Sequence, residues 1–118
     1  MSNLKDLPCE PCSKDTPPLL PHQQKELLDR LAGWQIVEYG GEKQLERTIK
    51  LKNFADALGL TNRIGALAEA EGHHPAILLE YGKVRVNWWT HAIGGLHQND
   101  FIMAARTNQI ASEFGGNR

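Results

Sequence analysis

The sequence predicts an α+β domain, with a four-stranded antiparallel sheet carrying its helices on one face, in the order helix-strand-strand-helix-strand-strand-helix. Three observations predict it. Apolar residues recur at helical spacing in three stretches, they alternate in four others, and the alternating stretches come in pairs joined by a glycine turn. Short hairpins make antiparallel neighbours, and the apolar face of the resulting sheet needs helices to cover it. A chain of 118 residues, 41% hydrophobic and 23% charged, supports one core and has a globular composition.

Residues 1–21 carry Pro8, Pro11, Pro17, Pro18 and Pro21, and are expected to form a flexible Pro-rich tail ahead of a single domain at 22–118. Both cysteines, Cys9 and Cys12, fall in that tail as a C-x-x-C pair. A structural zinc needs two further ligands at suitable spacing, and a redox pair needs a helix start to lower a thiol pKa. Neither context is visible, so the pair reads as incidental.

From His22, "HQQKELLDRLAG" puts Leu27, Leu28 and Leu31 on one face of a short helix that Gly33 can end. "WQIVEY" reads as a strand, Gly40-Gly41 as a turn and "KQLERTIKL" as the partner strand. In that partner Leu45, Ile49 and Leu51 share one face, with Glu46, Thr48 and Lys50 on the other. Asn53 is a suitable N-cap for the helix in "NFADALGLTNRIGALAEAEG", which Gly72 and Pro75 terminate. "AILLEY" and "KVRVNWW" form the second hairpin around Gly82. Asn99 can cap a last helix, on which Met103, Ile110 and Phe114 share a face.

The second hairpin gathers the histidines. With Gly82-Lys83 as its turn, Tyr81, Leu79 and Ile77 face Val84, Val86 and Trp88, and Glu80 meets Arg85. Extended to the open end, this register sets His91 opposite His74, with His73 beside it. Directly opposed residues have Cβ atoms about 4.5–5.5 Å apart. Glu69 and Glu71 reach the same rim from the preceding helix, and Asp100 from the next. Single surface histidines are usually bland; three beside carboxylates and tryptophans point to site chemistry.

The formal net charge of -1 and scattered Lys and Arg argue against a nucleic-acid binder. No apolar run approaches the roughly 20 residues that cross a bilayer, and "MSNLKDLPCEPCSKDTPP" has no secretory apolar stretch, so the expected location is cytoplasmic. Serine occurs only at Ser2, Ser13 and Ser112, with no nucleophile elbow, P-loop or dinucleotide fingerprint. Three imidazoles can hold a catalytic zinc, but adjacent histidines on a strand point to opposite faces, so no metal is expected. Proton transfer remains: imidazole titrates at about pH 6.5 and can give or take a proton at neutral pH. Such a site suits elimination, hydration or isomerisation.

Glu69, three residues, His73-His74-Pro75, five residues, Tyr81, nine residues, His91, eight residues and Asp100 resemble the signature of the pterin-4a-carbinolamine dehydratases. Gly33-Trp34 and "NFADALGLTNRIGALAEAEGHHP" resemble that family too, and the similarity spans roughly residues 22–114. Gly72 departs from the pattern, standing where some members carry an acidic residue. The resemblance implies dehydration of 4a-hydroxytetrahydropterin to quinonoid dihydropterin, recycling the cofactor of aromatic amino acid hydroxylases. The pterin is then the substrate, and no cofactor is implied. By the same resemblance His73 and His91 transfer protons and His74 mainly binds substrate. Glu69 and Asp100 orient or tune the imidazoles, and Trp34 either shapes the pterin pocket or sits in the core. A homodimer or homotetramer is implied, compatible with Leu78 and Trp89 on the uncovered sheet face. Two alternatives stand beside it: a protein-binding module on the same fold, and a zinc-dependent hydrolase using the same three histidines.

Overall fold

The computed structural model describes residues 4–10 and 16–115. The elements are α1 (Pro21–Leu28), β1 (Gln35–Tyr39), β2 (Glu42–Lys50), α2 (Phe54–Glu71), β3 (Ala76–Glu80), β4 (Lys83–Trp88) and α3 (Gln98–Glu113), with 3-10 turns at Leu4–Asp6 and His91–Ile93. This is the expected order. All strand pairs are antiparallel, in the spatial order β1-β2-β4-β3. The two strands richest in buried residues are thus the central ones. Leu45, Ile49, Val84, Val86 and Trp88 point from them into the core, where they meet Leu60 and Ile64 of α2 and Phe101 and Met103 of α3. Each such side chain contributes about 1.5–3 kcal/mol through removal from water.

The first hairpin forms as the sequence predicts, with Tyr39 paired to Glu42 across Gly40-Gly41. The second differs by two residues. Its turn is Tyr81-Gly82, Glu80 pairs with Lys83, Leu79 with Val84 and Ile77 with Val86. Gly82 therefore takes the second central position, at φ +74°, and Tyr81 is exposed. A slip of two leaves every side chain on its expected face, because strand side chains alternate with period two.

Asn53 caps α2 as expected, its side chain accepting from the Asp56 N–H at 2.8 Å. The last helix is capped by His97 rather than Asn99. The His97 ring accepts from the Asn99 N–H, and the Asp100 carboxylate accepts from the His97 N–H, a reciprocal box that leaves the Asn99 side chain for another partner.

The leader is a correction to the expected flexible tail. Residues 4–10 lie along α3, with Leu4 only 5% exposed and packed into the core, and Leu7 and Cys9 against it. Further on, the Leu19 N–H donates to the Leu96 carbonyl. Proline-rich composition had suggested a segment without a core of its own; α3 supplies one. Cys12, the second member of the C-x-x-C pair, lies outside the described residues.

Candidate active site

The end of α2 delivers the first histidine. Gly72 adopts φ +62°, and the Gly72 and His73 N–H groups donate back to Glu69 and Ala68 carbonyls at 3.2 and 3.1 Å. This is a Schellman closure, in which a residue with a Cβ is strained at the left-handed position. An acidic residue in place of Gly72 would therefore meet a backbone cost in this chain. The chain leaves the helix with His73 turned toward α3.

The His73 Nε2 lies 2.6 Å from the Asp100 Oδ1, and its ring stacks on Trp88 with centroids 5.7 Å apart and planes 9° from parallel. Asp100 is fully buried, and its Oδ2 accepts from the Thr90 hydroxyl at 2.8 Å and the His97 N–H at 2.9 Å. A buried carboxylate is tolerated when its oxygens are hydrogen-bonded in this way. It fixes the tautomer as well: with Nε2–H donated to Asp100, Nδ1 is the nitrogen left to exchange protons. The His73 side chain is 13% exposed, so it meets solvent over a small area.

His74 and His91 are more open. The His74 Nε2 lies 2.8 Å from the Glu69 Oε1, both groups exposed. Thr90 and Gly95 pair as an isolated bridge around the 3-10 turn His91–Ile93, which brings His91 back to the segment just before β3. There the His91 Nε2 donates to the His74 carbonyl at 3.2 Å, and its ring packs on Trp89 with centroids 4.4 Å apart. The three histidines are brought together, but by a turn after β4 rather than by direct strand pairing. Each ring already has one nitrogen engaged, by a carboxylate, a second carboxylate and a carbonyl.

His73, His74 and His91 line one cavity of about 520 Å³. That is within the range of small-molecule sites. Glu69 reaches it through His74, and Asp100 through His73 and through Thr90, which also lines it. Trp34 is absent from the lining among the described residues: it is buried, and its indole donates to the Asn108 Oδ1 at 2.8 Å. The pocket-shaping alternative for Trp34 gives way to the core one. Trp88 is in the core as expected, donating to the Thr107 hydroxyl.

Sequence reasoning missed Cys9 and Glu10 of the leader, and also Thr90 and Asn99. Thr90 secures Asp100, yet a lone threonine before a histidine carries no spacing signal. Asn99 lines the cavity and binds the leader, a role hidden by its reading as a helix cap.

The comparisons with known proteins agree with one another on a family. The family model for pterin 4 alpha carbinolamine dehydratase matches residues 17–110. A relative from Marinobacter nauticus named for that family is 53% identical over 110 residues, covering 93% of this chain and 99% of its own. One from Gloeobacter violaceus, named likewise, is 49% identical over 113 residues, covering 96% of this chain and 97% of its own. The crystal structure of a transcriptional coactivator/pterin dehydratase from Brucella melitensis superposes with a TM-score of 0.73 at 33% identity, covering 80% of this chain and 99% of that one. A match over most of the folded chain, joined to the spaced histidines and Asp100, places it: the chain belongs to the pterin-4-alpha-carbinolamine dehydratase family.

Proposed function

We propose that this cavity dehydrates 4a-hydroxytetrahydropterin to quinonoid dihydropterin, with His73 and His91 as the proton-transferring pair. The observation that carries the reading is the 2.6 Å contact of His73 with the buried Asp100, on the wall of a cavity that also holds His74 and His91. Neutral His73, with Nε2–H given to Asp100, takes the N5 proton of the pterin on Nδ1. The N5 electron pair closes the C4a=N5 bond as the C4a–O bond breaks. Protonated His91 supplies the proton with which the hydroxyl leaves as water. One proton is removed and one is delivered, so the substrate and the two rings balance, and His73 returns its proton to His91 through solvent. Positioned acids and bases of this kind contribute about 10²–10⁴-fold.

His74 serves binding, and its carbonyl holds His91 in place. The pterin is substrate, and the chemistry calls for no further cofactor. An aromatic amino acid hydroxylase is the reaction partner that supplies the C4a hydroxyl. Copies of the chain associate through the sheet face away from the helices, where Leu78 is 43% exposed.

The test generates the carbinolamine with a hydroxylase and follows its absorbance decay. Wild-type protein is expected to accelerate the decay, and the His73→Ala/His91→Ala double variant to lose about 10²–10⁴-fold of that acceleration. A double variant as fast as wild type overturns the assigned roles.

A further inference from the structure

The family model begins at residue 17, yet the cavity is lined in part by residues that precede it. Cys9 and Glu10 line it together with the histidines, and both belong to the leader that lies along α3.

The leader is held by a single stripe of α3. Asn99, Met103 and Arg106 recur at i, i+4 and i+7, one face of the helix. The Asn99 amide makes a reciprocal pair with the Glu10 backbone, its Oδ1 accepting from the Glu10 N–H at 2.8 Å and its Nδ2 donating to the Glu10 carbonyl at 2.6 Å. Met103 meets Cys9, sulfur to sulfur at 3.7 Å. Arg106 donates to the Lys5 and Leu7 carbonyls at 3.1 and 2.7 Å, and also to the Glu71 carboxylate at 3.0 Å. Glu71 itself lines the cavity. The leader, the last turn of α2 and α3 are therefore tied at one point, and Asn99 adjoins the Asp100 that holds His73.

From this we infer that residues 4–10 form a wall of the substrate site, and that seating this segment on α3 sets how tightly the site holds a pterin. The inference rests on reading the cavity as the pterin site. Leu4, Asn99 and Arg106 are its positioning residues. A wall that contacts ligand away from the reacting C4a–O bond holds ground state and transition state alike, so its loss raises KM and leaves kcat unchanged.

The test uses the full-length chain and 7,8-dihydropterin as a binding probe, followed by fluorescence. Leu4→Asp uproots the leader at its buried anchor, outside the cavity lining. It is expected to weaken dihydropterin binding about tenfold, equivalent to about 1.4 kcal/mol, and to raise KM for dehydration to match, while kcat stays within about twofold of wild type. Hydrogen exchange on the wild type gives a measurement that needs no variant: dihydropterin should slow exchange of the Glu10 amide. Unchanged binding and KM in Leu4→Asp overturn the wall, as does, should that variant not fold, unchanged Glu10 exchange in the wild type. A wild type that neither binds dihydropterin nor dehydrates the carbinolamine overturns the functional reading instead, and the wall falls with it.

Discussion

Asp100 is the residue on which the site turns. It accepts from His73 with one oxygen and from Thr90 and His97 with the other, with no exposed surface. Asp100→Asn keeps the shape but replaces one acceptor oxygen by a donor, which must face either the His73 N–H or the two donors opposite. Stability should fall by about 1–3 kcal/mol, the range for leaving a buried partner unsatisfied. The tautomer of His73 is also no longer fixed, so kcat should drop by about tenfold or more with a smaller effect on KM. Thermal melts and steady-state kinetics on one preparation check both. Little of this was legible residue by residue. Asp100 entered through its distance from the histidines in a familiar pattern, whereas Thr90 and Asn99 act through contacts that no local spacing encodes.

At the scale of elements, faces were legible, and so was the first hairpin, but the register of the second was not. Alternation told which side of β3 and β4 is apolar, and burial of Val84 and Val86 agrees. The two-residue slip of the hairpin escaped because it preserves parity, and because Lys83 and Arg85 are both cations, so Glu80 meets an opposite charge in either register. The uncovered face of the sheet has its own polar arrangement. Glu46 accepts from the Tyr39 hydroxyl at 2.7 Å and from the Asn87 amide at 3.1 Å. Burial alone would raise its carboxyl, but the bonds from Tyr39 and Asn87 and the charge of Arg85 outweigh it, and the pKa is lowered. A lowered carboxyl adds stability that is complete above the unfolded-state value and lost as pH falls through the folded one. Urea unfolding of wild type should accordingly weaken between about pH 5 and pH 3 more steeply than that of Glu46→Gln; parallel curves would remove Glu46 from the acid response.

For the whole molecule, the sequence and the structure agree on architecture and differ on the boundary of the domain. The leader was read from its prolines, a local property, while its seat depends on α3 about ninety positions later, which composition does not register. The reverse holds for the sheet's open face, whose Leu78 was visible in the alternation itself, whereas Trp89, expected beside it, packs against the core. If copies associate there, Leu78→Lys should shift the sedimentation mass toward that of one 13.2 kDa chain while leaving the melting temperature of the fold within a few degrees. An unchanged mass distribution would move the interface elsewhere.

The shared use of Asp100 has a consequence for folding. The oxygen that closes the first turn of α3 and the oxygen that grips His73 belong to one carboxyl group. Closing the first turn of the last helix and holding the His73 ring thus draw on the same side chain. A chain in which α3 has not yet seated carries all three histidines but leaves His73 without its carboxylate. Under the roles proposed above, activity in a refolding experiment should therefore return no earlier than α3 seats.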